Sequence, residues 1–267
     1  MTRQPIVTFL SDFGTREYYV GAVKGAVLSA CPDACIVDIS HDIASHDLLE
    51  AAFTLDSAYR TFPSRTIHLV VVDPGVGSSR RALVVSTENC YFVGPDNGVL
   101  SLIYQREEVN RVVSIESEHY FRQPVSPTFH GRDIFGPVAG SLAHGIQIDK
   151  FGPEVDDYKR LSLPGARKVS DDEVEGIVLH IDKFGNVITN LRPQEVSRLV
   201  ERQTSPAAFH LGEAEIRRHC RYYSEAQPNE VVSLVGSSGY FELAALKQPA
   251  ARLLGAKRGS KVRLKVK

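Results

Sequence analysis

The short stretch from Thr66 to Val72 constrains the fold more than any other feature of the sequence. It contains the longest uninterrupted aliphatic run of the chain, Leu69-Val70-Val71-Val72. Such a run is far shorter than the roughly 20 apolar residues that a membrane-spanning helix needs. It suits a central sheet strand that is covered on both faces. The stretch therefore predicts a buried strand with helices packed on either side.

The rest of the first half of the chain alternates β-branched runs with helix-compatible stretches. Strands are predicted over 5–10, 36–39, 66–72 and 82–86, and helices over 17–30, 48–59 and 134–144. This alternation is typical of an α/β layer with a largely parallel sheet.

The pattern changes after about Asp149, where prolines and a polar run from Lys168 to Glu175 interrupt it. Beyond that run, the segments 176–191, 230–235, 240–245 and 261–267 alternate apolar with polar residues. Half-buried strands of a small antiparallel sheet or barrel have this pattern. We therefore predict an N-terminal α/β domain over 1–165 and a smaller C-terminal antiparallel β-barrel domain over 172–267.

Net charge, the opening residues and the cysteines indicate which binding partners and which cellular compartment to expect. With 31 Lys and Arg against 32 Asp and Glu, the formal net charge is −1, which argues against a nucleic-acid-binding protein. The opening residues lack the long apolar segment of a signal peptide, so we expect a cytoplasmic protein without a membrane partner. Reduced thiols are favoured over disulfides or a structural zinc site for the four cysteines, Cys31, Cys35, Cys90 and Cys220.

Two acidic residues directly follow predicted strands. Asp12 follows the first strand and Asp73 follows the buried third strand. Open α/β sheets bind their ligands beyond the carboxyl ends of the strands. The carboxylate of Asp12 is suited to accept hydrogen bonds from the two hydroxyls of a ribose, but it is equally suited to cap the N-terminus of a helix. Asp73 with the glycines after it suits a ligand site, although an Asp-Pro pair also starts ordinary turns.

Three further groups of polar residues are candidates for chemistry. Arg80 and Arg81 follow a glycine-containing loop, either as an anion clamp or as two solvated side chains, and neither common nucleotide-binding fingerprint is present. His130 shares a short loop with charged neighbours, which favours polar chemistry. His41 and His46 fit solvated or capping roles better than a metal site.

The second half contains two breaks in the strand pattern. In the first, Phe184 is suited to stack on a flat ring and Asn186 to pair with an adenine-like edge, while the alternative is a β-bulge with a packed Phe. The second break, 236–240, is a polar turn with Glu242 just beyond it, and on its own it predicts only a hairpin.

Taken together, these segments resemble the S-adenosyl-L-methionine (SAM) hydroxide adenosyltransferase family, the adenosine-forming SAM hydrolases related to fluorinase and chlorinase. The resemblance covers nearly the whole chain. The resemblance lies in the motifs at 12–14, 38–41, 72–77, 94–98, 129–133, 181–186 and 236–239. Several long motifs in one order are more specific than any one of them.

The resemblance implies roles for individual residues. It implies that Asp73, Arg80 and His130 hold the nucleophilic water, with Arg80 preferred over Arg81 by its spacing from Asp73. It also implies a set of substrate-binding residues: Asp12 at the ribose, Phe184 and Asn186 at the adenine, Asp182, Ser237 and Ser238 at the methionine end, and Glu242 elsewhere on the substrate.

The family resemblance also implies an architecture and an activity. An α/β domain and a β-barrel domain assemble into a homotrimer, with sites between one subunit's N-terminal domain and a neighbour's C-terminal domain. The expected enzyme hydrolyses its substrate SAM to adenosine and L-methionine by attack of water or hydroxide at C5′ of the ribose, without metal or cofactor.

Three other functions are compatible with parts of the sequence. A chlorinase-like, SAM-dependent halogenase is disfavoured by the carboxylate of Asp73, because two like charges about 4 Å apart cost about 4 kcal/mol at an effective dielectric of 20. A non-catalytic SAM or adenosine sensor needs no water-holding residues. A metal-dependent phosphoesterase would use His41 and His46.

Overall fold

The structure is a computed structural model that describes residues 4–162, 165–194, 196 and 207–266. Residues 1–3, 163–164, 195, 197–206 and 267, which fall within the predicted domains, lie outside the described residues. The chain divides into two compact units, Met1–Ser162 and Leu163–Lys267. The domain limits of 1–165 and 172–267 stay a prediction.

The first unit alternates strands and helices. Its strands are β1 (Ile6–Ser11), β2 (Cys35–Ser40), β3 (Ile67–Val71), β4 (Ala82–Thr87), β5 (Tyr91–Pro95) and β6 (Val109–Ser114). Its α-helices are α1 (Tyr19–Ala30), α2 (Leu48–Ala58), α3 (Ser101–Arg106) and α4 (Gly136–Ala143). Short 3-10 turns lie at Tyr59–Thr61, Glu118–Tyr120 and Ile148–Lys150, and a π-helical turn over Gly131–Phe135 leads into α4.

The strands of the first unit form one mostly parallel sheet in the order β2-β1-β3-β5-β4-β6. β2, β1, β3 and β5 run parallel, and β4 runs antiparallel to both β5 and β6. The predicted α/β architecture is therefore confirmed. The prediction missed β5, β6 and α3, and β5 was hidden because its last residues, Gly94 and Pro95, carry the signal of a turn.

Strand β3 is buried on both faces, as its apolar run predicts. Leu69 and Val71 contribute to a cluster with apolar residues of α1 and α4. Val70 and Val72 contribute to a second cluster, with residues of α2 and α3. The sheet is thus covered by helices on both sides, and its strand ends supply the loops in which the candidate site residues lie.

The second unit is built from short strands. They are β7 (Arg167–Lys168), β8 (Glu173–Ile181), β9 (Val187–Thr189), β10 (Ala207–Leu211), β11 (Ala214–Ile216), β12 (Val231–Val235), β13 (Phe241–Ala245) and β14 (Lys261–Val266). A 3-10 turn lies at Tyr223–Glu225, and the helix α5 spans Ala250–Leu254.

These strands form an antiparallel sheet in the order β11-β10-β14-β8-β9-β13-β12, with β7 added beside β8. A bridge between His219 and Ser233 joins the segment after β11 to β12, so the two ends of the sheet nearly meet. The predicted antiparallel β-barrel is confirmed. The predicted strand 176–191 is two strands, β8 and β9, joined by a turn.

Two further expectations concern the cysteines and the membrane. The four cysteines are free thiols, as predicted. Within the part of the chain that the structure describes, no helix has both the length and the hydropathy needed to cross a bilayer.

The burial of β3 predicts a specific stability effect. Leu69 is 1% exposed and Leu28, on the outer face of α1, is 39% exposed. Because Leu69→Ala leaves a cavity between packed layers, we expect it to lower the free energy of unfolding by about 2–5 kcal/mol. The same truncation at Leu28 should cost less than about 0.5 kcal/mol. Urea unfolding followed by circular dichroism compares the two, and equal midpoints would contradict the two-sided burial of β3.

Candidate active site

The candidate site of the first unit lies where neighbouring parallel strands end. β1 and β3 pair in parallel, so the residues that follow them, Asp12 and Asp73, lie at the same edge of the sheet. A cavity of about 480 Å³ opens at this edge, within the size range of small-molecule sites. It is lined by Asp12, Phe13, Tyr18, Tyr19, Ser45, His46, Val71, Asp73, Val76, Ser126, Thr128, Phe129, His130, Gly131 and Arg132. We call it the N-terminal pocket.

Asp73, Arg80 and His130 form one hydrogen-bonded cluster at this pocket. Nε of Arg80 lies 3.0 Å from both carboxylate oxygens of Asp73, and Nη2 lies 2.5 Å from Oδ2. The same Nη2 lies 2.7 Å from Nδ1 of His130. The side chains of Asp73 and Arg80 are each only 5% exposed. Arg80 is therefore neither a solvated arginine nor an open anion clamp, because its charge is paired inside the protein.

The loop between Asp73 and Arg80 is held against the segment that carries His130. Gly77 has φ +77°, and a Cβ at this position would lie 2.4 Å from the carbonyl oxygen of Pro127. Only glycine allows both this backbone conformation and this close approach. The guanidinium of Arg80 also lies 5.1 Å from the centre of the buried Phe135 ring. Local backbone geometry thus brings Arg80 to a histidine fifty residues away.

Burial and the contact with Arg80 together favour the neutral form of His130. Burial lowers the pKa of His130 below its ordinary value of 6.5, and the positive charge of Arg80 lowers it further, against the opposing charges of Asp73 and Asp133. The neutral ring is thus favoured. Since Nδ1 faces the donor Nη2, Nδ1 is the acceptor and the ring proton lies on Nε2.

Asp12 is half-buried and is not a helix cap. Its side chain is 10% exposed, and Oδ2 accepts a hydrogen bond from the backbone N–H of His46 at 2.9 Å. The N-cap of α1 is Tyr18, so the capping alternative for Asp12 is wrong. His46 is itself in the left-handed region, with φ 68°, which directs its N–H toward the carboxylate.

His41 is buried, so the expectation of a solvated or capping histidine is wrong at this position. Its Nδ1 lies 2.8 Å from Oγ of Ser11, and its Nε2 lies 3.1 Å from Oδ1 of Asp38. Its carbonyl oxygen accepts the N–H of Gly14. Both ring nitrogens therefore face protein groups, and His41 fastens the loop that carries Asp12. The capping role belongs to Asp47, whose carboxylate accepts the N–H of Glu50 at the start of α2.

Two other charged groups near the pocket have structural partners. Arg81 pairs with Asp96 and Asp157, so the anion-clamp alternative fails for this residue as well. Arg132 donates from Nε and Nη2 to the fully buried carboxylate of Asp133. Both arginines are therefore paired within the protein.

An aromatic cluster at the pocket was missed by the reasoning from sequence. The rings of Tyr19 and Phe129 are 5.3 Å apart, and those of Phe13 and Phe129 are 5.9 Å apart. Tyr18 also contacts this cluster and is 66% exposed. The only signal in the sequence is the pair of tyrosines at the start of a helix, where apolar residues normally predict core.

The remaining candidate residues lie in the second unit, and most of them line a pocket of about 660 Å³ that we call the C-terminal pocket. It is lined by Asp182, Phe184, Asn186, Tyr223, Ser237, Ala245, Lys247, Gln248 and Pro249. Oδ1 of Asp182 accepts the N–H groups of Phe184 and Asn186, and Oδ2 accepts the Asn186 amide. Asp182 thus shapes the turn between β8 and β9. Phe184 is 77% exposed, so the alternative of a packed Phe is wrong.

Ser238 and Glu242 lie outside the lining of the C-terminal pocket. Glu242 is buried in β13, and its Oε1 accepts the hydroxyl of Tyr223 at 2.8 Å. Burial raises the pKa of Glu242, and the charge of Asp182 raises it further, although the Tyr223 hydrogen bond acts in the opposite direction. A Cβ on Gly236 would lie 2.4 Å from Oε2 of Glu242, so the glycine makes room for this carboxyl group. Tyr223, which reasoning from sequence did not single out, connects Glu242 to the pocket.

Among the residues that the structure describes, no group of three or more His, Cys, Asp or Glu side chains is arranged to hold a metal ion. The structure brings Asp73, Arg80 and His130 together with Asp12. It also gathers Asp182, Phe184, Asn186 and Ser237 around the C-terminal pocket. The catalytic and binding roles of these residues stay predictions.

Comparison with known proteins shows the family to which the chain belongs. The profile of the SAM hydroxide adenosyltransferase N-terminal domain matches residues 7–152, and that of the C-terminal domain of the same family matches residues 176–263. The chain belongs to the SAM hydroxide adenosyltransferase family. Both sets of candidate residues, from Asp12 to His130 and from Asp182 to Glu242, lie within the family's matched ranges.

The relatives named as SAM hydrolases are similar to this chain over nearly their whole length. A Thermus thermophilus protein named (R)-S-adenosyl-L-methionine hydrolase is 36% identical over 265 residues, covering 97% of this chain and 98% of the relative. A Methanocaldococcus jannaschii protein of the same name is 34% identical over 256 residues, covering 93% and 91%. A protein named fluorinase from Nocardia brasiliensis is 27% identical over 223 residues, 74% of each chain. The crystal structure of an uncharacterized conserved protein from Thermotoga maritima matches with a TM-score of 0.91 at 32% identity, covering 97% of this chain and 99% of that one.

Proposed function

We propose that this chain hydrolyses SAM to adenosine and L-methionine by attack of water at C5′ of the ribose. The observation that carries the proposal is the hydrogen-bonded cluster of Asp73, Arg80 and His130 at the wall of the N-terminal pocket. The relatives named (R)-S-adenosyl-L-methionine hydrolase support it and point to the (R) configuration at the sulfonium sulfur.

The chemistry of the reaction requires only groups that these side chains provide. The bond from the water oxygen to C5′ forms as the C5′–S bond breaks, and the electron pair of that bond stays on sulfur. Methionine leaves as a neutral thioether, which needs neither a proton nor a metal, so we propose a reaction without cofactor. The protein must align the water opposite the sulfur and accept one proton from it.

The hydrogen bonds of the cluster suggest how this work is divided. Because Nδ1 of His130 accepts from Arg80, the Nε2–H is the group available to donate to the water oxygen. That bond lowers the cost of hydroxide character at the nucleophile. Asp73 accepts from Arg80 and keeps further lone pairs, so we assign it the proton of the attacking water. Arg80 supplies the positive charge that keeps both partners in place.

The other candidate residues fit the parts of SAM. Oδ2 of Asp12 is used by His46, and we propose that its remaining acceptor capacity binds the ribose hydroxyls. The exposed ring of Phe184 suits stacking on adenine, with Asn186 beside it. We assign Asp182 with the Ser237-Ser238 turn to the methionine end, and Glu242 to the substrate through its carboxyl group. The cationic groups of SAM complement these two carboxyl groups.

We further propose that the protein is a homotrimer in which the N-terminal pocket of one subunit and the C-terminal pocket of a neighbour form each site. Two observations support it. The water-holding cluster belongs to one unit and the adenine-binding candidates to the other. Each pocket also carries a strongly exposed aromatic side chain nearby, Tyr18 and Phe184 respectively, of the kind enriched at interfaces.

The assignment of Asp73 predicts the effect of removing its charge. Asp73→Asn keeps the shape but weakens both proton acceptance and the hold on Arg80, so kcat should fall by about 100-fold or more. Asp33→Asn is the control, because it removes an exposed carboxylate between α1 and β2. Substitutions of exposed side chains away from a site have small effects, so kcat should change less than about 2-fold. The measurement is chromatography of adenosine released from (R)- and (S)-SAM in the presence of a chelator.

The same assay, repeated with added chloride, tests the halogenase alternative. Adenosine should remain the product, because the Asp73 carboxylate repels a halide. Faster formation of 5′-chloro-5′-deoxyadenosine than of adenosine would contradict the proposal. Tight binding of SAM without any turnover would favour the sensor instead.

The state of His130 predicts the pH dependence of the reaction. The active ring is neutral, and its pKa lies below 6.5. As the pH falls through that lowered pKa, both ring nitrogens become donors and Nδ1 faces the donor Nη2 of Arg80, so activity should be lost on the acidic side. A profile of kcat/KM measured between about pH 4.5 and about pH 9 should show kcat/KM falling on the acidic side, below pH 6.5. A rate that rises as His130 becomes protonated would be inconsistent with its role as neutral donor.

The shared site of the trimer is tested by mixing two inactive variants. Asp73→Asn damages the N-terminal pocket, and the double variant Phe184→Ala, Asn186→Ala damages the C-terminal pocket. If sites lie between subunits, random hybrids should regain about a quarter of the wild-type sites, since an intact site needs one undamaged pocket from each variant. Co-expression with two affinity tags gives the hybrids, and native mass spectrometry gives the subunit count. Hybrids as inactive as the parents would place each site within one chain.

A further inference from the structure

The turn over 94–98, with the sequence Gly-Pro-Asp-Asn-Gly, lies at the end of β5, between two partner strands. β3 runs parallel to β5 on one side, and β4 runs antiparallel on the other, with Ala82 opposite Pro95. The end of β3 and the start of β4 therefore both lie beside this turn. These two strand ends are the points at which the loop from Asp73 to Arg80 leaves and rejoins the sheet.

Asp96 holds the far end of that loop. Its Oδ2 accepts from Nε and Nη2 of Arg81 at 3.0 and 2.8 Å, and its backbone N–H donates to the carbonyl oxygen of Arg81 at 2.9 Å. Its Oδ1 accepts the N–H of Lys159 at 2.7 Å. The residue is 3% exposed. Both the side chain and the backbone of Arg81 are thus fixed by one buried residue.

Asn97 holds the near end. Its Nδ2 donates to the carbonyl oxygen of Val72 at 2.9 Å, while its Oδ1 accepts the N–H of Val99 at 3.1 Å. Each half of the amide therefore has a partner, which fixes the orientation of the side chain. Val72 is completely buried, so its carbonyl group depends on protein partners.

Val72 directly precedes Asp73, and Arg81 directly follows Arg80. We infer that Asp96 and Asn97 are positioning residues for the proposed reaction, because they fasten both ends of the loop that carries Asp73 and Arg80. Neither touches the proposed nucleophile. Together they set where the Asp73–Arg80 pair lies relative to His130, which comes from another part of the chain.

This inference rests on the proposed function. It explains how the proposed reacting groups are held in position. A displacement of about 1 Å at a reacting group can cost about 100-fold in rate. The contact between Nη2 of Arg80 and Nδ1 of His130 spans only 2.7 Å, so a small shift of the loop would break it. The effect should appear in kcat, because the proposed substrate-binding residues Asp12, Asp182 and Phe184 lie outside this loop.

The test compares Asn97→Ala and Asp96→Asn with Asp157→Asn. Asp157 binds the same Arg81 through Oδ1, but its side chain is 74% exposed, so it is a matched control that removes an outer partner only. We expect kcat to fall about 10- to 100-fold in the two turn variants, with KM for SAM within about 2-fold of the wild-type value. The control should keep both constants. If a turn variant does not fold, Arg81→Lys, which loses the forked contact but keeps the charge, replaces it.

A second readout is independent of turnover. NMR titration of the His130 imidazole reports the contacts of the ring with the charged groups that act on it, Arg80, Asp73 and Asp133. If the loop shifts in Asn97→Ala, Arg80 and Asp73 both act less on the ring. Because the charge of Arg80 affects the pKa of His130 more than the opposing charge of Asp73 does, that pKa should rise toward 6.5. Asp157→Asn should titrate like the wild-type protein.

The outcomes separate this inference from the proposed function. A wild-type protein that does not hydrolyse SAM overturns the function, while the titration still tests the positioning. A lower kcat with an unchanged His130 titration overturns the inference, since the residues would then act only through general stability. Unchanged kcat and unchanged titration in both turn variants overturn it as well.

Discussion

A single guanidinium, that of Arg80, connects the groups on which the rest of the candidate site depends. It bonds the carboxylate of Asp73 and the imidazole of His130 at the same time, and its own side chain is almost completely buried. A buried charge is costly unless it is paired and hydrogen-bonded. Pairing with Asp73 offsets that cost, and the contact with His130 fixes the tautomer of the ring. Removing any one partner leaves a buried polar group without its complement.

The fold supplies this arrangement through the ends of its parallel strands. β1 and β3 bring Asp12 and Asp73 to one edge of the sheet, and the loops there are tied to one another by His41, Gly77 and the turn after β5. The barrel unit presents a different set of groups, an exposed aromatic ring with amide and carboxyl partners. One unit thus carries the candidates for chemistry together with Asp12, the candidate for ribose binding, and the other carries the remaining candidates for recognition of the substrate.

Much of this was predictable from sequence, for identifiable physical reasons. The run from Leu69 to Val72 predicted a strand covered on both faces, and residues that follow such strands were expected at a ligand edge. The contact of Arg80 with His130 has no signature in spacing, because it depends on the close approach of Gly77 to Pro127. His41 was misjudged, since a histidine between polar neighbours gives no sign that it is buried. β5 was missed because its Gly-Pro end has the composition of a turn.

The most direct test of the account is the source of the oxygen in the product. Purified protein would be incubated with SAM in water enriched in ¹⁸O, and the adenosine would be separated and analysed by mass spectrometry. The account predicts adenosine that carries the heavy oxygen at its 5′ position, because solvent water is the nucleophile at C5′. Adenosine without the label, or a product cleaved at another bond of SAM, would contradict it.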